Sequence, residues 1–272
     1  MQIDSKKAYL QRIHNAVETT NDRNEDARDT GGWLYSNTPL TEFAHRFCEF
    51  RDDFDSGNET LACPGYPGVG KTRRAVSVKN HLAGLRNSFA KPHELAISAL
   101  YLGHGDMKVQ SSQDLILHLF EDLEWQCQGS GLRHDSVAVL HRMIRENMFL
   151  SDEVVFKAFD SLCQSLRAFY IIVDGLEEYP YMHRKRLLDF ISRLQAERSS
   201  KIKMYVTFRP MDDFATRFQN CKSSAVLAHD DDIKQFIDNK INASPRLLEY
   251  ERADPALRET IKSAVLKVSD KM

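Results

Sequence analysis

The chain has 272 residues, 42% hydrophobic and 28% charged, which is enough apolar material to bury a full core in one large domain with additions at its ends. Lys and Arg total 37 against 39 Asp and Glu; a net charge of -2 gives no general attraction for nucleic acid or an anionic membrane, so partners have to be read from sites. Five scattered cysteines, none in C-x-x-C spacing, point to reduced thiols in a cytoplasmic protein rather than a disulfide framework or zinc site, and the opening residues hold no apolar run that would make a signal peptide or membrane span.

Ala8, Leu10, Ile13 and Val17 recur at helical spacing and predict a short helix over 5–18, followed by a polar linker over 19–26. Thr38 and Pro39 then read as the cap and first position of a second helix, with Phe43, Phe47 and Phe50 on its inner face. Residues 59–63 read as a short buried strand. They lead into Gly65-Tyr66-Pro67-Gly68-Val69-Gly70-Lys71-Thr72, which fits G-x-x-x-x-G-K-[ST] at every fixed position.

The chemistry of phosphate binding explains that spelling. Glycines let backbone N–H groups turn toward phosphate oxygens, Lys71 adds a mobile positive charge, and Thr72 offers a hydroxyl to Mg²⁺. The helix predicted over 71–82, with Ala75, Val76, Val78 and Leu82 apolar, aims the positive end of its dipole at the anion. A Gly/Pro surface turn could match the pattern by accident, but the motif requires a strand before it and a helix after it, and both are spelled here.

Residues 94–102 predict a second strand, 111–123 a long amphipathic helix, and 137–148 and 152–166 two further helices. Residues 168–174 form the strongest strand, continuously apolar as a central parallel strand should be, and it ends on Asp174. A helix over 182–197, a strand over 202–209, a short last strand over 224–227 and helices over 233–241 and 254–268 complete the reading. Strands alternating with helices argue an α/β fold with a five-stranded parallel sheet covered on both faces.

Asp174-Gly175-Leu176-Glu177-Glu178 supplies the second half of a nucleotide site. A carboxylate closing a buried strand suits the metal shell, and a nearby acid suits the attacking water. Glu178 takes that second role with Glu177 as its rival, although acids also favour the first turn of a helix on dipole grounds alone. Arg209, before Pro210 at the end of the next strand, faces the ligand crevice of a parallel sheet and can sense a γ-phosphate. The ten histidines lie at no metal spacing; His229 and Trp33 read most simply as core or capping residues.

Five blocks in this order and spacing (31–34, 63–72, 173–178, 207–210 and 229–233) resemble the NACHT NTPase domain of fungal STAND (NOD-like) proteins, and more narrowly those with a nephrocystin-3-like N-terminal domain. The resemblance runs over about residues 30 to 272. It implies a P-loop NTPase three-layer sandwich with a short helical lead-in and linker (1–55), an NTPase core (56–228) and the start of a helical subdomain (229–272) in a chain that is part of a longer one. The phosphate-loop residues through Thr72, and Arg73 after them, would bind nucleotide, with Thr72 and Asp174 at the metal and Glu178, Glu177 and Arg209 in catalysis. Mg²⁺ with ATP or GTP is the implied cofactor.

Protein partners would act through effector or repeat domains outside this chain, in a nucleotide-dependent homo-oligomer that binds neither nucleic acid nor membrane. The implied activity is a slowly hydrolysing signalling switch. A scaffold that binds nucleotide without useful hydrolysis is the alternative, and a small-molecule kinase a third. Three positions depart from the family: Glu177 where Asp is usual, Phe208 where Ser is usual, and Arg73-Arg74 where apolar residues often follow the Thr.

Overall fold

The computed structural model describes Phe47, Phe50, Arg51 and residues 59–88, 91–102, 111–127, 135–197, 201–227 and 230–269. The lead-in helix, the linker, Trp33, His229, Cys48 and most of the second expected helix lie outside the described residues.

Five strands form one sheet in the order β2-β3-β4-β1-β5, and every pairing is parallel. They are β1 (Glu59–Pro64), β2 (Leu95–Tyr101), β3 (Ala168–Asp174), β4 (Lys201–Phe208) and β5 (Lys222–Ser223). β3 lies second from the edge, and all seven of its residues are buried, as its unbroken Phe-Tyr-Ile-Ile-Val run requires. The α/β reading with a five-stranded parallel sheet therefore holds. β5 differs from expectation: the regular pairing sits at 222–223, ahead of the apolar 224–227. Ser224 and Val226 nevertheless still donate their N–H groups to the Ala62 and Pro64 carbonyls, so the segment runs on beside β1 as a one-sided edge.

Among the described residues the helices are α1 (Lys71–Ser88), α2 (Ser112–Cys127), α3 (Asp135–Arg145), α4 (Asp152–Cys163), α5 (Tyr181–Ala196), α6 (Asp212–Arg217), α7 (Asp230–Asn242), α8 (Pro245–Ala253) and α9 (Leu257–Ser269). α4 starts where Ser151 accepts the Val154 N–H, and ends three residues short of the expected 166. Sequence reading missed α8. Its signal was the pair Ser244-Pro245, with the serine capping the Leu247 N–H and proline in the first turn. The short α6 was missed as well, and no side-chain cap marks its start.

Strand alternation divides the core between two faces. Ala62, Ala96, Leu100, Phe169, Ile171, Val173, Met204 and Val206 point into a large cluster with α2, α4 and α5. Leu61, Cys63, Leu95, Ile97, Tyr101, Tyr170, Ile172 and Tyr205 point the other way, against Ala75, Val78 and Leu82 of α1 and against Phe47 and Phe50. On that second face Lys203 is fully buried and donates to the Phe50 carbonyl, while the Tyr170 hydroxyl donates to that of Arg51 at 2.8 Å. Those two bonds fasten residues 50 and 51 to the sheet.

Candidate functional site

β1 ends at Pro64 and the chain turns sharply into α1. Gly65 stays on the sheet by donating its N–H to the Phe208 carbonyl at 2.9 Å. A Cβ there would lie 2.9 Å from Val69 Cγ2 and 3.0 Å from Val226 Cβ, so the close passage of the loop past the β5 segment demands glycine. Gly68 and Gly70 hold φ of 85° and 89°, left-handed values that turn the loop back toward Lys71 at the start of α1. The first turn of this 18-residue helix has no acidic side chain, so nothing covalent neutralises the positive end of its dipole.

Lys71 folds over this turn. Its Nζ donates to the Gly65 carbonyl at 3.0 Å and the Tyr66 carbonyl at 3.3 Å, and lies 3.5 Å from Glu177 Oε1. The same Glu177 oxygen is 3.1 Å from Arg209 Nε, and Arg209 Nη2 reaches Glu178 Oε1 at 2.7 Å. Four of the residues singled out in the sequence thus form one chain of ion pairs, Lys71–Glu177–Arg209–Glu178, at the carboxyl edge of the sheet. The two acids differ in depth. The Glu177 side chain is 5% exposed, and its second oxygen, Oε2, has no hydrogen-bond partner among the described residues, whereas the Glu178 side chain is 41% exposed.

Asp174 closes β3 and is buried. Thr207 Oγ1 donates to its Oδ1 at 2.5 Å and accepts the Gly175 N–H at 3.1 Å, which places a neutral donor on the carboxylate and orients it. Asp174 falls on the α1 side of the sheet, since it continues the alternation of Tyr170 and Ile172. Its register partner on β2 is Tyr101, a buried residue whose hydroxyl has no hydrogen-bond partner among the described residues. Burial and then the Asp174 charge push the Tyr101 phenol well above its ordinary range, so it stays neutral.

Thr72, the second residue of α1, and Arg73 beside it are both half-buried; Tyr66, Pro67 and Gly68 are exposed, and Val69 and Gly70 lie half-buried on the loop. Three side chains bear on the site that sequence reading did not assign to it. Thr207 is the orienting donor just described. Arg74 is buried and donates to the Leu227 carbonyl at 3.2 Å, tying α1 to the segment after β5 where an apolar residue would only pack. Phe208 stacks on Phe218 at 5.2 Å and packs on Phe214 at 4.9 Å, fixing α6 against the end of β4 beside Arg209. The aromatic in place of the usual Ser is thus a packing choice.

No group of three or more His, Cys, Asp or Glu among the described residues could cage a metal. The Asp174 carboxylate, the hydroxyl of Thr72 and the unpartnered oxygens of Glu177 and Tyr101 fit a hydrated Mg²⁺ that arrives with phosphates, because such an ion keeps several waters and takes only one or two protein ligands.

The family described as Nephrocystin 3, N-terminal matches residues 29–209. No curated protein matches the chain in sequence. Among solved structures, the Aeropyrum pernix ORC1 protein in complex with DNA is 14% identical at a TM-score of 0.46, over 84% of this chain and 59% of that one. A Walker-type ATPase of Pyrococcus abyssi is 14% identical at 0.45, over 81% and 66%. AMPPCP-bound DnaA from Aquifex aeolicus is 10% identical at 0.38, over 82% and 59%. The chain spans about three fifths of the length of these structures. No helix among the described residues is long and apolar enough to cross a membrane.

Proposed function

The chain belongs to the nephrocystin 3 N-terminal family, and from that premise we propose that it binds ATP or GTP with Mg²⁺ and hydrolyses it slowly as a signalling switch. The observation that carries the proposal is the meeting of Lys71, Glu177 and Arg209 beside a glycine turn that opens an acid-free helix N-terminus.

In this reading Lys71 leaves the Gly65 and Tyr66 carbonyls and Glu177 for the β- and γ-phosphates, while the loop N–H groups take the remaining oxygens. Mg²⁺, held by Thr72 and oriented through Asp174, would neutralise phosphate charge when bound. Glu177, buried and next to Lys71, orients the attacking water; its unpartnered Oε2 is the acceptor for it. Arg209, freed from Glu177, turns to the γ-phosphate, and the more exposed Glu178 keeps it near the edge of the sheet. Nucleotide thereby exchanges one set of ion pairs for another, which gives the bound and free proteins different arrangements around the ends of β3 and β4. The assembly that such a change would control, through domains outside this chain, belongs to the same proposal.

Titration calorimetry with Mg·ATP and Mg·GTP tests it. Lys71→Ala should weaken binding at least ~100-fold, since it removes charge-assisted bonds to two phosphates; unchanged affinity would refute the site. Glu177→Gln should keep binding and slow single-turnover phosphate release ~100-fold or more. A wild type that binds tightly yet releases no phosphate would be a nucleotide-dependent scaffold instead.

A further inference from the structure

Tyr101 occupies a position where phenylalanine would serve the core better. It is the last residue of β2, 5% exposed, and shares the α1 side of the sheet with Ile97, Ala99 and Tyr170. Nothing among the described residues takes up its hydroxyl, although a buried polar group ordinarily finds a partner and its desolvation is otherwise uncompensated. Its neighbour across the β2–β3 pairing is Asp174, and the next residue, Leu102, donates its N–H to the Asp174 backbone carbonyl at 2.9 Å, so the end of β2 is tied to the backbone that carries that carboxylate. One Asp174 oxygen already accepts from Thr207, on β4. The metal-site acid therefore has a hydroxyl-bearing residue on the strand to either side: a threonine that donates and accepts, and a tyrosine whose hydroxyl has no partner among the described residues.

We propose that Tyr101 is a positioning residue for the divalent cation: its phenol oxygen accepts a hydrogen bond from a water of the hydrated ion that Asp174 orients, and so completes the second side of the cation site. The inference rests on the nucleotide reading above. A cation-bound water is a strong donor whose hydrogens point outward, and a neutral phenol suits it as acceptor without adding charge. Outer partners of this kind typically change metal affinity about 10–100-fold when removed.

Tyr101→Phe deletes only the hydroxyl and keeps the packing. Nucleotide affinity is measured by calorimetry in EDTA and across a Mg²⁺ titration, with the melting temperature of the nucleotide-free protein alongside. The expected result is unchanged affinity in EDTA, a Mg²⁺ requirement raised about tenfold, and a melting temperature equal to or above wild type. An unchanged Mg²⁺ requirement overturns the proposal. A lowered melting temperature also overturns it, since the hydroxyl would then be satisfied inside the free protein. If the wild type binds no nucleotide in either condition, the nucleotide reading falls and takes this one with it, an outcome distinct from retained binding that ignores the hydroxyl.

Discussion

On the face of the sheet covered by α2 and α5, with α4 packed against them, charged side chains keep to the rim apart from Arg184 of α5, which is buried over Phe214 and paired with Asp213. Arg186 pairs with Asp152 and Arg193 with Glu153, all at 37–52% exposure, and the interior beneath is leucine, isoleucine and phenylalanine. On the α1 face the charges go inside: Lys203, Asp174 and Arg74 are buried together with Tyr101, Tyr170 and Tyr205. Burying a charge is costly unless hydrogen bonds replace its water, so the second face has to supply them, and each of its charged groups has a bond to a backbone carbonyl or a hydroxyl. One face holds the fold together by area removed from water. The other gives part of its area to polar groups, among them Asp174 at the end of β3, on the sheet edge shared with the glycine turn that follows β1.

The comparison can be broken first where it predicts the most. Phe169→Ala on the apolar face removes a fully buried ring of the apolar cluster, and should cost about 3–5 kcal/mol in urea unfolding. Nucleotide affinity at saturating folded protein should be untouched. A cost under ~1 kcal/mol would mean that this face is not what stabilises the sheet.

The same substitution made once on each face sharpens the contrast. Thr207→Val strips the donor from buried Asp174 and the acceptor from the Gly175 N–H, and should cost about 1–3 kcal/mol while weakening the response to Mg²⁺. Thr60→Val, on the apolar face, loses a long 3.3 Å bond from Gln195, whose amide also donates to the Ile202 carbonyl, and a weak bond with the Cys221 thiol, and should cost less than ~0.5 kcal/mol. Equal costs would show that the two faces do not differ in the way described.

How much of this was legible in the sequence follows the same division. The apolar face and the strand order of burial could be read, because runs such as Phe169 to Val173 have only one way to avoid water. The places of Lys71 at the head of a helix after a glycine turn and of Asp174 at a strand end could be read, because the chemistry proposed for them would restrict residue type and spacing tightly. The depth of Glu177 relative to Glu178 was not: both sit in a short 3-10 turn over Leu176–Glu178, and which acid turns inward depends on Gly175 at φ 71° and on where Arg209 stands. Nor was Thr207, since a threonine in a strand is ordinary until its neighbour across the sheet is an aspartate. Side chains that act through a residue distant in sequence leave no periodic trace. Cys63 is a further case: its thiol reads as plain core, yet burial, against weaker pulls from Tyr205 and Arg74, pushes it up to about 12, so it should resist alkylation until the protein unfolds.

The smallest effect belongs to the rim of the apolar face. Asp189, on the outer side of α5, accepts from Lys185 at 2.7 Å and from Arg217 of α6 at 2.7 Å, and these two partners hold its carboxyl below the usual carboxylate range. A folded-state pKa below the unfolded one contributes stability that is present above the unfolded value, about 3.9, and is lost as pH falls through the folded value. Being 44% exposed, the group is screened by water and salt, and Asp189→Asn should cost no more than about 0.5 kcal/mol at neutral pH. The gap between the two proteins should shrink below about pH 4 and also in 1 M salt, where the Debye length is about 3 Å. Unfolding curves at pH 7, pH 3 and high salt check this directly. A penalty above ~1 kcal/mol that survives 1 M salt would mean that a rim charge behaves like those buried under α1, and the distinction between the two faces would fail at its weakest point.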